Sequence, residues 1–175
     1  MRKKAAELTK VMQIPNVQIR TLSIFSLNYI RNLKNQNSNM FFHKKHIGIL
    51  QQFFWFMKYS RRREDNIYVL LFEGRRIGCI GIRKIGLSWD FYNIIRNKKK
   101  IPAESGLMSL FLQTLIYDLL AHGSSRIQVE VLKSNPALDW YLGNGFVIES
   151  NFGESVIMRL LQDKIGKHHG EGTNR

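Results

Sequence analysis

Residues 106–122 constrain the fold more than any other part of the sequence. The segment carries nine Leu, Ile, Met and Phe residues and almost no polar face, which predicts a buried helix that ends near Gly123. Runs of β-favouring residues flank it at 89–95 and 127–131. A strand, helix, strand unit needs a crossover connection between parallel strands. We therefore expect a mixed α/β domain built around a partly parallel sheet.

The remaining segments alternate between strand and helix periodicities. Residues 17–22 alternate apolar with polar side chains, which predicts a half-buried strand. A short helix is expected at 27–33, ended by the Asn-rich stretch 35–39. An amphipathic helix follows, and its spacing places four large side chains on one face: Leu50, Phe53, Phe54 and Met57.

The remaining segments predict hairpins and one more short helix. Runs at 67–72 and 77–82 predict two strands with Gly74 in the turn. Pro136 suits the first turn of a short helix that runs through Leu142. The last strands are expected at Phe146 and at 156–161.

A length of 175 residues fits one compact domain. We expect that domain to span 17–161, with a frayed segment at 1–16 and a disordered, polar and basic tail at 162–175. No apolar run approaches the roughly 20 residues needed to cross a bilayer, and the basic N-terminus is not followed by the apolar region of a signal peptide. The single cysteine, Cys79, lies in an apolar stretch and is expected to pack as a small hydrophobe in a cytoplasmic protein.

The chain is strongly basic, and its charge indicates an anionic partner. Lys and Arg total 27 against 13 Asp and Glu, which gives a formal net charge of +14. Nucleic acid, an anionic membrane surface and a phosphate-bearing ligand all satisfy this charge, and solubility alone explains it too. Charge therefore does not rank the partners.

The segment 103–109 is the strongest candidate for an anion site. A strand has ended there, lysines have accumulated at 98–100, and the buried helix begins. The first N–H groups of a helix have no intrahelical partner, and the helix dipole adds positive charge. A diphosphate fits such a helix start, and Gly106 lets it approach closely. The alternative is an ordinary helix capped by Ser105, with a solvated lysine run.

A second motif lies between residues 134 and 146. Its pattern of Asn135, Ala137, Tyr141 and then Gly145-Phe146 resembles the Asn-x-x-Ala, Tyr, Gly-Phe signature of the GNAT superfamily of acetyl-coenzyme A dependent N-acetyltransferases. The resemblance covers about residues 17–161. It implies a central mixed, partly parallel and twisted sheet of about six to seven strands with about four helices, splayed between the fourth and fifth strands.

The resemblance also implies a set of cofactor-binding residues. Acetyl-coenzyme A enters the splay, and the tyrosine hydroxyl reaches its sulfur as general acid, a role that falls to Tyr141. Backbone groups of two strand residues face the acyl and pantetheine arm, the helix start holds the diphosphate, and an asparagine contacts the arm. Carried over, these are Ile94, Ile95, Ser105, Gly106, Leu107, Met108, Ser109 and Asn135.

The helix-start loop departs from the family pattern. The family has Gln or Arg, x, x, Gly, x, Gly or Ala, whereas Ala103 stands at the first position here and Met108 at the last. Only Gly106 is kept, and the lysines upstream can supply the missing positive charge.

An N-acetyltransferase also needs a proton acceptor, because a protonated amine does not attack a thioester. Asp90 and Glu130 are the strand-borne candidates near the splay, and each is otherwise a solvent-facing strand residue. His43 and His46 form a His-x-x-His pair without a carboxylate or thiol partner at metal-site spacing, so no metal is expected.

The front half of the chain carries Arg31-Asn32, Asn37, Phe41-Phe42-His43 and then an aromatic helix at 51–57. This arrangement resembles the amino-sugar-nucleotide N-acetyltransferases of surface-polysaccharide pathways. The acceptor residues implied are Arg31, Asn32, Phe41 and Phe42, with arginine meeting charge and a phenylalanine stacking on a ring. The two phenylalanines alternatively close the core. Other acceptors are a protein or an aminoacyl-tRNA, and a different class is a silent module that binds acyl-coenzyme A or RNA. Dispersed basic residues make nucleic acid the weaker partner. The expected assembly is a monomer or a homodimer.

Overall fold

The computed structural model describes residues 2–42, 44–100 and 105–161. Seven strands form one sheet in the order β1-β2-β3-β4-β5-β7-β6. The strands are β1 Val17–Thr21, β2 Asp65–Phe72, β3 Arg75–Ile85, β4 Ser88–Arg96, β5 Ile127–Leu132, β6 Phe146–Phe152 and β7 Ser155–Leu160. The pair β4 and β5 is parallel, and the other neighbouring pairs are antiparallel.

Helices cover both faces of this sheet. They are α1 Arg2–Met12, α2 Leu27–Gln36, α3 Ile49–Tyr59, α4 Leu107–Ala121 and α5 Leu138–Gly143. The larger core joins α1, α4 and α5 to one face, and a smaller core joins α2 and α3 to the other. None of the helices in the described part of the chain combines the length and the apolar character needed to cross a bilayer.

The expected crossover is present between β4 and β5. The helix α4 connects these two parallel strands, and seven of its side chains are buried. Cys79 is fully buried on β3, as its apolar surroundings predicted. The strands and helices predicted from residue 17 onward all form, within a few residues of the expected bounds.

The N-terminal segment differs from its expectation. We expected residues 1–16 to be frayed, but α1 packs on the sheet edge and buries Leu8 to 1% exposure. The Thr9 hydroxyl oxygen accepts a hydrogen bond from the backbone N–H of Ile19 at 2.8 Å. Lys4 pairs with Asp118 of α4 at 2.8 Å. Fraying is therefore wrong for the helix, because an apolar stripe and two polar contacts hold it. The tail 162–175 lies outside the described residues.

The helix α3 turns its predicted apolar face away from the core. Leu50 is 72% exposed and Phe54 is 63% exposed, and Phe53 and Met57 are exposed as well. The side that faces the sheet carries Gln52, Trp55, Phe56 and Tyr59. Apolar residues occupy most of both sides of this helix, so periodicity identified a helix but selected the wrong face.

The sheet opens between β4 and β5. Their ladder has three pairs, Trp89 with Ile127, Asp90 with Gln128 and Phe91 with Val129, and it ends there. Beyond it, β4 carries one extra residue relative to β3, and Asn93 adopts a left-handed φ of 49°. Such a bulge bends a strand and increases its twist. The splay expected between the fourth and fifth strands is therefore present.

Candidate active site

A cavity of about 570 Å³ occupies the gap between the splayed strands. It reaches from the start of α4, past the two strands, to the end of α2. Ten of the residues predicted to bind cofactor or acceptor, or to act as the general acid, line it: Phe41, Phe42, Ile94, Ile95, Ser105, Gly106, Met108, Ser109, Asn135 and Tyr141. The structure thus gathers residues from four separate segments of the chain around one cavity. Arg31, Asn32 and Leu107 are outside its lining.

The start of α4 supplies backbone donors to one end of the cavity. Gly106 is the cap, with a left-handed φ of 67° that glycine adopts without strain. The first intrahelical bond runs from the N–H of Leu110 to the carbonyl of Gly106 at 3.0 Å. The N–H groups of Leu107, Met108 and Ser109 therefore precede the hydrogen-bonded part of the helix and can bind an anion.

Ser105 is not the cap of this helix, which corrects the alternative interpretation of the segment. The side chain of Leu107 packs against the larger core, so only its backbone remains for the predicted role. Residues 101–104 lie outside the described residues, and with them Ala103, where the loop departs from the family pattern.

Close packing against β3 fixes where α4 begins. A Cβ added to Gly78 would lie 2.5 Å from the sulfur of Met108 and 2.8 Å from the carbonyl oxygen of Ile95. No side chain fits at that position, so Met108 can lie directly over the strand. The backbone donors of the helix start are held next to the end of β4 as a result.

Hydrogen bonds between α4 and α5 fix the wall that carries Tyr141. The indole N–H of Trp140 donates to the hydroxyl oxygen of Ser109 at 2.8 Å. The amide of Gln113 donates to the carbonyl oxygen of Asn144 at 3.2 Å. The side-chain oxygen of Asn135 accepts the N–H of Ala137 at 2.9 Å and shapes the turn before α5. Since these polar groups bind one another, the wall is rigid before any ligand arrives.

Tyr141 lies in this wall and is 5% exposed. Its ring contacts the rings of Trp140 and Phe146 with centroid separations of 5.1 and 6.1 Å. Burial raises the pKa of its hydroxyl above the ordinary value. In the described part of the chain no hydrogen bond is recorded for that hydroxyl, so it remains protonated and free to donate into the cavity.

Arg96 is a cavity residue that the sequence patterns did not single out. It is the last residue of β4 and lines the cavity together with Gly106 and Met108. Its Nη1 atom is buried and has no hydrogen-bond partner among the described residues. A buried guanidinium nitrogen without a partner is costly, so Arg96 is a candidate to bind an anion in the cavity. The only sequence signal was its place at a strand end just before the lysine run.

Two acidic residues of the cavity lining, Asp90 and Glu130, each accept a hydrogen bond from a neighbouring side chain. Asp90 is 4% exposed, and an Arg83 nitrogen donates to its carboxylate at 2.9 Å. Burial raises the pKa of Asp90, Arg83 opposes that rise, and the nearby Glu130 adds to it. Both base candidates, Asp90 and Glu130, line the cavity. The hydroxyl of Ser155 donates to Glu130 at 2.8 Å.

The predicted acceptor residues separate into two groups. Phe41 and Phe42 both line the cavity; Phe41 also packs against the smaller core, whereas Phe42 is 57% exposed. Phe42 is therefore available to stack on a ligand. The guanidinium of Arg31 bonds the side-chain oxygens of Asn28 and Asn32 at 2.9 Å, on the outer side of α2. The structure does not bring Arg31 or Asn32 to the cavity.

No metal site accompanies these groups within residues 2–42, 44–100 and 105–161, where no cluster of three or more His, Cys, Asp or Glu side chains is suitable. His43, the first histidine of the His-x-x-His pair, lies outside the described residues.

Solved structures share this fold over most of the chain. A spermidine N-acetyltransferase from Vibrio cholerae, solved with CoA and spermine, superposes with a TM-score of 0.69 and 22% identity, covering 87% of this chain and 99% of that one. FdhC, a nucleotide-linked sugar GNAT, superposes with a TM-score of 0.70 and 18% identity, covering 86% and 89%. PaiA N-acetyltransferase from Thermoplasma acidophilum, solved with coenzyme A, gives 0.65 and 14%, covering 82% and 98%.

These likenesses show that the chain has the GNAT fold, which confirms the expected fold class. No protein-family model matches the sequence, and no curated protein matches it significantly.

Proposed function

We propose that this protein is an N-acetyltransferase that moves an acetyl group from acetyl-coenzyme A to the amine of a small molecule. The observation that carries the proposal is the opening of β4 from β5 into a cavity that holds Tyr141 at its wall. The first N–H groups of α4, which precede the first intrahelical hydrogen bond, lie at the end of this cavity. Structural neighbours solved with coenzyme A support the same ligand.

The residues present fit acetyl-coenzyme A. Backbone N–H groups of Leu107, Met108 and Ser109 suit a diphosphate, and the buried Nη1 of Arg96 supplies a charged donor beside them. The edge of β4 beyond Phe91 has left its ladder with β5, so the backbone of Ile94 and Ile95 suits the amide-rich pantetheine arm. Asn135 lies along the same wall.

The reaction is a direct attack within a ternary complex. The acceptor nitrogen attacks the thioester carbonyl carbon, a C–N bond forms, and the C–S bond breaks. A β4 backbone N–H stabilises the charge that develops on the carbonyl oxygen. Asp90 accepts the proton that leaves the nitrogen, since burial raises the pKa of its carboxyl and so makes its carboxylate a stronger base. Tyr141 donates its hydroxyl proton to the departing sulfur.

We further propose a nucleotide-linked amino sugar as the acceptor. The exposed ring of Phe42 suits stacking on a base, and Lys34 and Arg83 add positive charge to the same half of the cavity. The net charge of +14 attracts a diphosphate and repels a polyamine. FdhC, a nucleotide-linked sugar GNAT, is among the structural neighbours and supports this class.

The proposal is tested with radiolabelled acetyl-coenzyme A and three acceptor classes: nucleotide-linked amino sugars, peptides and aminoacyl-tRNA. Label transfer to the sugar class is the expected result. Transfer to tRNA, together with tRNA binding that survives moderate salt, would replace the acceptor, because nonspecific contacts to nucleic acid weaken steeply with salt. Acetyl-coenzyme A binding without transfer to any class would indicate a silent module, and no binding at all would reject the proposal.

A further inference from the structure

Lys34 occupies a position on α2 that faces the core. The buried residues of this helix are Leu27, Ile30 and Leu33, and Lys34 continues their stripe one turn after Ile30. Burial lowers the pKa of its ammonium group. Its recorded contact is the ring of Phe41, with Nζ 5.5 Å from the centroid. No carboxylate of the described residues forms an ion pair with it, so this desolvated cation lacks an anionic partner.

On α3, Gln52 is likewise a polar residue on the side of the helix that faces the core. It lies on the core-facing side of the helix, with Tyr59 two turns later, and it is 5% exposed. The hydrogen bond recorded for Gln52 in the described chain is that of its backbone N–H to Gly48. No hydrogen bond of its side-chain amide to another residue is present in the described chain, and Gln52 borders an open recess. An amide on a largely buried residue usually finds a hydrogen-bond partner, and a ligand in that recess would supply one.

Both side chains line a recess of about 180 Å³ between α2 and α3. Asn93, the bulged residue of β4, lines it too, and Trp55 contributes an apolar wall. Lys34 and Asn93 also line the main cavity, so the recess adjoins that cavity on the side where we place the acceptor. Lys34, Gln52 and Asn93 thus bring polar residues of three elements to one small space, and Gln51 lines it as well.

We propose that this recess is a subsite for a compact oxyanion of the acceptor, a phosphate or a carboxylate. The proposal rests on the proposed acetyl transfer and deepens it by naming the charge that the acceptor carries beside its amine. An ammonium and two amide groups offer donors to such an anion, and the acidic pair Asp90 and Glu130 lies in the main cavity where the amine reacts. A polyamine would place a cation beside Lys34 and bind poorly.

Two variants remove the donors with little change of shape. Lys34→Met removes the charge, and Gln52→Leu replaces the amide with an apolar side chain of similar size. Lys34→Arg keeps the charge. Lys58→Met is the matched control, because Lys58 is an exposed residue of α3 outside both cavities and its loss changes the net charge equally.

Binding is measured first without catalysis, by calorimetry with UDP and with inorganic phosphate. Lys34→Met should weaken UDP binding roughly ten- to a hundredfold, the loss typical of a hydrogen bond to a charged group, and Gln52→Leu roughly tenfold. Lys34→Arg should recover most of the affinity, and Lys58→Met should stay within about twofold because surface charge is screened.

Turnover then separates the two anions. Glucosamine, glucosamine 6-phosphate, UDP-glucosamine and glutamate are compared as acceptors, with spermidine as the cationic probe. In Lys34→Met the KM of the charged acceptors should rise while that of glucosamine is unchanged. A rise confined to the phosphorylated sugars assigns the recess to phosphate, and one confined to glutamate assigns it to carboxylate.

The proposal would be overturned if Lys34→Met and Lys58→Met raised the KM values equally, or if spermidine were the preferred acceptor. Acetyl-coenzyme A affinity of the same variants keeps this failure apart from failure of the proposed function. A wild-type protein that binds acetyl-coenzyme A but shows no Lys34-dependent anion preference rejects the recess alone. A wild-type protein that binds no acetyl-coenzyme A rejects both.

Discussion

The two halves of the cavity offer different parts of the chain to a ligand. On the α4 side the donors are mainly backbone N–H groups, and the side chains of Trp140 and Asn144 both donate to the Ser109 hydroxyl. On the α2 and α3 side the contacts are side chains with charge or amide groups, held by helix packing. Recognition on the α4 side would depend on the backbone conformation of the helix start. Recognition on the α2 and α3 side would depend on which side chains face the cavity.

This difference explains what each half can recognise. A backbone site accepts any diphosphate that fits the helix start, which suits one ligand shared by many enzymes. A side-chain site changes its ligand when a single residue changes, which suits acceptor choice. Tyr141 and Arg96 are the exceptions in the backbone half, since each lines the cavity with a side chain whose polar group has an atom without a hydrogen bond to the described residues. Substitutions can test this division.

The largest effect is expected from Tyr141→Phe. The ring and its packing remain while the proton donor is lost, so turnover should fall by about 10²–10⁴-fold with KM little changed. Steady-state kinetics measures the fall, and thermal unfolding confirms that the protein is folded. Tyr117→Phe is the control, because Tyr117 lies on α4 outside the cavity lining. Unchanged turnover in folded Tyr141→Phe would reduce Tyr141 to a packing residue.

The next effect, about a hundredfold in kcat/KM at neutral pH, is expected from Asp90→Asn. A base works when deprotonated, so activity should fall as pH falls through the pKa of Asp90, which burial raises. The Asp90→Asn variant should lack this fall, which forms the acidic limb of the pH–rate profile. Glu130→Gln removes a like charge that raises this pKa, so the limb should move to lower pH. A limb that stays in place would belong to the free amine of the acceptor instead.

Gly106→Val should weaken acetyl-coenzyme A binding about ten- to a hundredfold. A β-branched residue is strained at a φ of 67°, and its side chain stands where a phosphate approaches. Gly106→Asn tolerates the left-handed conformation at lower cost. Calorimetry should show weaker binding in both variants, with a smaller loss of thermal stability in Asn. Full affinity in Gly106→Asn would show that the phosphate does not approach this residue.

The smallest of these effects, about tenfold, is expected from Arg96→Gln on the KM for acetyl-coenzyme A. Acetyl-pantetheine lacks the diphosphate, so its KM should be equal in the variant and the wild type. Lys99→Gln, an exposed loop change outside the cavity lining, controls for net charge. An equal loss with both thioesters would mean that Arg96 shapes the strand end rather than binds phosphate.

The sequence predicted the elements that form the α4 side of the cavity, because short segments encode them. A strand, a glycine and an apolar helix specify the α4 start, and the pattern from Asn135 to Phe146 specifies the wall with Tyr141. These elements form from local propensity and caps, and their order requires the crossover. The resemblance to the GNAT superfamily predicted the splay. No sequence pattern predicted the bulge at Asn93 that accompanies it.

The side-chain half could not be predicted in the same way. Periodicity does not decide which side of α3 packs on the sheet when both sides are apolar, so Gln52 was overlooked. Arg31 was selected over Lys34 although both lie on α2, because only tertiary packing shows which one faces the cavity. The helix α1 was missed as well. Its Ala5, Leu8 and Met12 have helical spacing and would have revealed it.

Backbone hydrogen–deuterium exchange with and without acetyl-coenzyme A tests the central claim most directly, because it reports which amides the ligand contacts. Protection should rise in peptides that cover Leu107 to Ser109 and the end of β4 from Ile94 to Arg96, and it should stay unchanged in α2 and α3. Protection confined to α2 and α3, or no protection at saturating ligand, would contradict the assignment of the splayed cavity to acetyl-coenzyme A.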